Sequence, residues 1–338
     1  MEELSKKARR REEARLKAVQ GEAAEQEKRV QEAAPRQEAR KNAADSFIEK
    51  SKQFYVQHYK KMLIIPTLLL LFSFLQIGWQ MSTTGDFLTK GVSLKGGIAL
   101  TIPELEADTT TVERELLQAF PNHDIAVRSL SGAGSIGGIT IDADILEEQG
   151  ITQFQNYIEQ KFSIAPGTYT IEIIGSALGE NFFRQAFLAL FLAFLFMAIV
   201  VFLYFRIPIP SLGVILAAFS DIVTTAAIIN LLGIKLSMAG IAAFLMLIGY
   251  SVDTDILLTT RVLRRKEGKV IDGIFNAMRT GFMMTTTTLL AATIALFFSA
   301  SAVVTQIMLI LIIGLLSDLL YTWIQNAGIL LWYLEGKA

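Results

Sequence analysis

The sequence predicts a mixed fold: a bundle of six transmembrane helices with one small α+β domain inserted between the first helix and the second. Three observations carry this. The 338 residues are 52% hydrophobic and only 19% charged, with a mean hydropathy of +0.44, more apolar than a soluble domain averages. The apolar residues gather into six runs, each near the roughly 20 residues that cross a hydrocarbon core. One connection between runs, residues 82–185, is long enough for a domain, whereas the others are very short.

The first run, residues 62–81, follows Lys60 and Lys61, with Pro66 near its start, where it is tolerated. The remaining runs are 186–205, 212–232, 238–259, 281–298 and 303–331, so that residues 186–331 hold helices two to six. Lysine and arginine in short loops set orientation. Arg206 follows the second run, and Arg261, Arg264, Arg265, Lys266 and Lys269 follow the fourth, whereas the opposite loops hold only Lys235. Both termini, including the tail 332–338, are therefore expected in the cytoplasm of a multi-pass cell-membrane protein, and residues 82–185 outside.

The long insertion has its own pattern. Residues 98–102, 124–130, 139–142 and 169–174 read as strands, and 109–120 and 145–162 as helices, the first with a threonine cap. A glycine-rich turn, 131–138, joins two of the strands. The order β-α-β-β-α-β is the ferredoxin-like pattern.

Composition excludes several chemistries. The chain has no cysteine, so a disulfide, a thiolate metal site and a cysteine nucleophile are all ruled out. His58 and His123 are too far apart in sequence to suggest a metal cluster. Neither a cofactor nor a nucleic-acid partner is expected. Residues 1–52 form a charged stretch of Lys, Arg, Glu, Gln and Ala, expected to be a solvated cytoplasmic tail. The sharper alternative is an arm that docks on a ribosome or membrane surface.

Ionisable groups inside apolar runs mark a pathway or a pair. They are Asp221 in the third run, Asp253 and Asp255 in the fourth, and Asp318 in the sixth; Arg279 stands at the mouth of the fifth. Asp253 ranks first, with Gly240 and Gly249 on its helix allowing a neighbour close. Asp253 and Asp255 lie about 200° apart around a helix, so one faces the bundle interior and the other a cavity or a partner. The bland reading of each is an inert packing contact, and Arg279 can snorkel to the interface. Thr285 to Thr288 can pack a helix or hold water on a proton route.

These residues carry a resemblance. Leu247 to Asp255 followed by Arg261 looks like the fourth-helix signature of the SecF branch of the SecD/SecF family, in an archaeal form. Gly91 to Gly97 resembles the Gly-Gly motif after the first helix. Gly175 to Gly179, with Arg184 and Gln185, resembles the start of the second. Ser220-Asp221 resembles a His-Asp pair, with Ser in place of His, and Arg279 with the threonine run resembles the fifth-helix motif.

The resemblance implies the fold of the RND superfamily, with six helices pairing with six of SecD. It implies a non-enzymatic role beside the Sec translocation channel, pulling unfolded preproteins outward with the proton gradient in a lipid membrane. It further implies Asp253 as proton carrier, Arg279 as its charge partner and Asp221 as support. In many family members the acid falls one position after Asp253, so Asp253 and Asp255 both stand as its counterpart. Rival readings are an RND-type exporter of small molecules or lipids, an intramembrane aspartyl protease using Asp221 and Asp253, and a purely structural partner of SecD. The protease reading lacks its motifs, since Asp221 follows Ser220 and Asp253 follows Val252.

Overall fold

A computed structural model of the chain describes residue 46 and residues 48–338, apart from 104, 106, 133–134, 265–268, 300–301 and 337–338. Most of the charged stretch 1–52 lies outside the described residues, as do Arg265 and Lys266 and the centre of the glycine-rich turn.

Six described helices are long and apolar enough to cross a membrane. The first is α1 (Ile64–Thr84). The inserted domain follows, in the order β1 (Gly97–Pro103), α2 (Thr109–Ala119), β2 (Ile125–Gly132), β3 (Ser135–Ala143), α3 (Glu148–Phe162) and β4 (Thr170–Ile174). Then come α4 (Ser176–Phe205), α5 (Pro208–Leu231), α6 (Met238–Leu263) and α7 (Val270–Phe298). The last span is interrupted: α8 (Ala302–Leu320), a π-helical segment (Tyr321–Asn326) and α9 (Ala327–Glu335). The helix ends differ from the apolar runs. α4 begins well before residue 186, because its first turns stand above the apolar zone, and α9 continues to Glu335, past the last apolar residue of its run.

The domain has the ferredoxin-like order. Its sheet runs β2-β3-β1-β4 with every neighbour antiparallel. Alternation along β1 buries Ile98, Leu100 and Ile102 against α2 and α3, which contribute Val112, Leu116, Phe154 and Ile158. Phe154 is fully buried, and truncating it to alanine would cost about 3–5 kcal/mol. α2 is capped by Asp108, not by a threonine: its side chain accepts from Thr110 N. Glu113 accepts from Val127 N of β2 at 3.1 Å.

Two glycines allow close backbone approaches, one within the domain's sheet and one between α4 and the segment that leads into β1. Gly97 sits at φ +133°, where a Cβ would strike the Ala143 carbonyl, and a Cβ at Gly179 would lie 2.6 Å from Gly96 N. The segment after α1 also threads against the α5–α6 loop. Gly91 N donates to Leu236 O and Leu236 N to Thr89 O, both at 2.7 Å. Asn230 Nδ2 donates to Phe87 O at 2.9 Å. Lys235, in that loop, reaches up to Asp124 of the domain at 2.8 Å, and Lys95 meets the same carboxylate at 3.6 Å.

The bundle is asymmetric. α5 and α6 are its most buried helices, whereas α1, α4 and α7 face mostly outward. Pro208 opens α5 at its first turn, where a missing N–H costs nothing. Ser237 caps α6 by accepting from Gly240 N. Gly240 admits Leu236 and Ile310, but Gly249 has nothing within 4 Å of its Cβ position, so within this chain it brings no helix close.

Candidate functional site: a buried carboxyl cluster

The central helices are rich in buried polar side chains. α5 contributes Ser220, Asp221, Thr224 and Thr225; α6 contributes Ser251, Thr254, Asp255 and Thr259. The last span adds Ser317, Asp318, Tyr321, Thr322, Gln325 and Asn326. Asp221 and Asp255 are fully buried and Asp318 is 1% exposed. No described lysine or arginine forms an ion pair with any of the three.

The interruption in the last helix builds this site. Asp318, Thr322 and Asn326 are spaced by four and share a helix face, and the wider π turn between them aims both amide and hydroxyl at α6. Asn326 Nδ2 donates to Asp255 Oδ1 at 2.8 Å. Thr322 Oγ1 lies 3.0 Å from Asp255 Oδ1 and 2.9 Å from Asp318 Oδ1. Thr254 Oγ1 lies 3.2 Å from Asp318 Oδ2. A hydroxyl has one proton to give. Thr322 can donate to one carboxylate; the second contact at that distance needs a proton on the carboxyl that faces it. The geometry therefore suits a pair of acids that holds a proton between them.

Asp221 differs. It lacks the donors that Asp255 receives from Asn326 and Thr322; the hydroxyl beside it is that of Ser251, and Oδ2 of Asp255 has no donor among the described residues. A carboxylate buried with so few donors is costly. Beside it, Gln325 Nε2 donates to Ser220 Oγ at 3.2 Å, and Ser220 donates back to Leu216 O at 2.7 Å. A line of hydroxyls then leaves the cluster. Tyr321 OH meets Thr224 Oγ1 at 2.6 Å, Thr224 meets Ser73 Oγ of α1 at 3.1 Å, and Ser73 donates to Leu69 O at 2.8 Å. With one proton per hydroxyl, the line runs Tyr321 to Thr224 to Ser73, tying α1 to the cluster.

The structure thus gathers Asp221, Asp255 and Asp318 and leaves two expected residues out. Asp253 is exposed on the outer face of α6, not buried in the bundle, because the 200° offset that points Asp255 inward turns Asp253 away. Arg279 is also exposed and forms no ion pair with a described carboxylate. Arg261 ties α6 to α7 by donating to Asn276 O at 2.7 Å. Of the threonine run only Thr285 is buried; Thr287 and Thr288 bond back to Met284 O. Sequence reasoning missed Thr322, Gln325 and Asn326. Their signal was available: they fall four, seven and eight residues after Asp318, on one side of an apolar run.

The fold and this cluster define a polytopic membrane protein with ionisable groups sealed in its spanning core. A family described as "Protein export membrane protein SecD/SecF, C-terminal" matches residues 153–336. The protein-export membrane protein SecF of Pyrococcus furiosus is 38% identical over 293 residues, covering 86% of this chain and 97% of that one. SecF of Methanolacinia petrolearia is 40% identical over 279 residues, covering 82% and 94%. Among solved structures, SecDF, a translocon-associated membrane protein from Thermus thermophilus, matches in fold with a TM-score of 0.67 at 20% identity. That match covers 83% of this chain and 38% of the SecDF chain. The chain belongs to the SecD/SecF family of protein-export membrane proteins, on its SecF branch.

Proposed function

We propose that this chain is the SecF subunit of a SecD–SecF unit that assists protein export beside the Sec channel, and that proton occupancy of the Asp255–Asp318 pair, with Asp221 beside it, drives its conformational cycle. The observation that carries the proton reading is the Thr322 hydroxyl held between two buried carboxyls. Adding or removing one proton there forces a different hydrogen-bond arrangement on Thr322 and Asn326. Both lie in the π segment, so the charge change acts directly on an irregular, adjustable piece of helix. One elementary charge moving through 100 mV supplies about 2.3 kcal/mol, enough to bias such a step.

Asp253 takes a different role in this reading. It stands about 15 Å from the end of α6, counting 1.5 Å per residue, on an exposed stripe with Met246, Gly249 and Tyr250. A carboxylate facing hydrocarbon is expensive, so such a stripe fits a partner surface. Gly249, with open space at its Cβ position, would let a partner helix approach closely. We assign this face to the SecD partner, with Asp253 and Arg279 meeting charged or polar groups across it. In this reading, which the loop charges favour, both termini lie in the cytoplasm and the ferredoxin-like domain lies outside, where it would hold an emerging unfolded preprotein.

The test is gradient-dependent export by the SecD–SecF unit reconstituted with the channel. Asp255→Asn and Asp318→Asn are expected to abolish the response to a proton gradient while leaving the unit assembled. Asp253→Asn is expected to weaken assembly with SecD instead. A normal gradient response in both cluster variants would leave the network as packing alone and support the purely structural reading.

A further inference from the structure

At the domain end of the bundle, α1, α4, α5 and α6 enclose a cavity of about 350 Å³. Its wall is apolar throughout and dominated by phenylalanine. Phe87 packs edge-on to Phe187 at 5.3 Å, and Phe219 lies 6.0 Å from Phe194 and 6.1 Å from Phe74. Phe74, Phe187 and Phe191 are exposed as well as lining the space, so the cavity opens sideways between the two outermost helices.

The physics of such a space is restrictive. Water inside would find no hydrogen-bond partner. An empty space would forfeit dispersion contacts on every wall. The volume lies near the lower end of small-ligand sites, about 300–1,000 Å³. It is too small for a helix, whose diameter with side chains is about 10–12 Å. What remains is a flexible hydrocarbon chain, available from the membrane on which the opening faces.

The rim supplies a second, polar observation. Lys90 Nζ stands 4.5 Å from the centroid of Phe183, a cavity-lining ring, and is held by Asp86 Oδ1 at 2.6 Å. This places a cation at the end of the cavity nearest the domain, where the spanning helix α1 has ended and headgroups lie. We propose that the cavity binds one hydrocarbon chain of a membrane phospholipid whose phosphate is met by Lys90. The site is separate from the carboxyl cluster and independent of the proton reading.

Native mass spectrometry of the full chain in detergent, after exposure to dioleoylphosphatidylglycerol vesicles, tests this. The wild type is expected to retain one lipid through detergent exchange. Ala226→Trp fills the cavity and is expected to lose it; Val223→Phe, a smaller obstruction, keeps the test open should the first variant misfold. Lys90→Gln is expected to keep the chain site but lose preference for phosphatidylglycerol over uncharged dioleoylglycerol. Retention unchanged in both filled variants, or no retention by the wild type, would overturn the site. An unchanged preference in Lys90→Gln would overturn the headgroup assignment. The chain co-purified with its partner is expected to retain the same lipid, and its absence there would overturn the site.

Discussion

Gly213 on α5 faces Asn326 in the π segment so closely that a Cβ at position 213 would lie 2.8 Å from Asn326 Oδ1. Asn326 in turn donates to Asp255. A backbone position with no chemistry of its own thus sets the distance between a carboxyl and its amide partner.

Gly213→Ala is expected to push Asn326 off Asp255. The cost in unfolding free energy should be about 1–3 kcal/mol, as for other overpacked cores. Thermal unfolding in detergent measures it. Adding Asn326→Gly to the same chain should recover much of the loss, because the two substitutions share one contact. Simple additivity would disprove the relationship.

Thr322→Val keeps the shape of the side chain and removes its hydroxyl. The two carboxyl oxygens around it then lose a buried partner, at a cost of about 1–3 kcal/mol. Gradient-dependent export should fall sharply, and Thr322→Ser should restore it. Export by the valine variant at the wild-type level would show that the hydroxyl is dispensable.

Asp124 makes the junction between domain and bundle sensitive to acid. Burial pushes its carboxyl up, but the Lys235 and Lys95 ammoniums outweigh this and hold it below its ordinary value. A depressed carboxyl contributes fixation that is present above its unfolded pKa of about 4 and lost as pH falls through the folded value. Spin labels on the domain and on the α5–α6 loop should therefore report one fixed distance at neutral pH and a broadened distribution only in strong acid. Asp124→Asn should broaden it at neutral pH.

Arg128 and Asp142 form an ion pair across β2 and β3, with Asp142 buried and Arg128 partly exposed. Burial pushes the Asp142 carboxyl up, and the guanidinium works against that shift. Arg128→Ala should leave an uncompensated buried acid and destabilise the domain by about 1–3 kcal/mol at neutral pH. A raised carboxyl favours the folded state below its unfolded pKa and loses that contribution as pH rises through the folded value. The variant's deficit should accordingly shrink on acidification, seen as convergence of the two melting curves between pH 7 and pH 4.

Legibility in the sequence divides by length scale. The α+β domain was readable because its periods are local: alternation in β1 and the amphipathic turns of α3 each announce a buried face. The cap of α2 was misplaced by one residue, since Asp108 and Thr109 are both good cap residues and only backbone geometry chooses between them. The three central acids were readable as anomalies in apolar runs. Their ranking was not. Helical offset said that Asp253 and Asp255 face opposite ways, but nothing local says which way is inward, because both flanks of α6 are apolar.

The sequence by itself determined the six spans, the inserted domain and its strand order, through run length and periodicity, which are properties of a chain segment against its solvent. Only the tertiary structure decided that Asp255, and not Asp253, meets Asp221 and Asp318, and that Thr322 and Asn326 complete the site. Those contacts join α5, α6 and an irregular π turn, residues as far as 105 positions apart in the Ser220–Gln325 bond, and their distances follow from how helices pack and where a glycine lets them close.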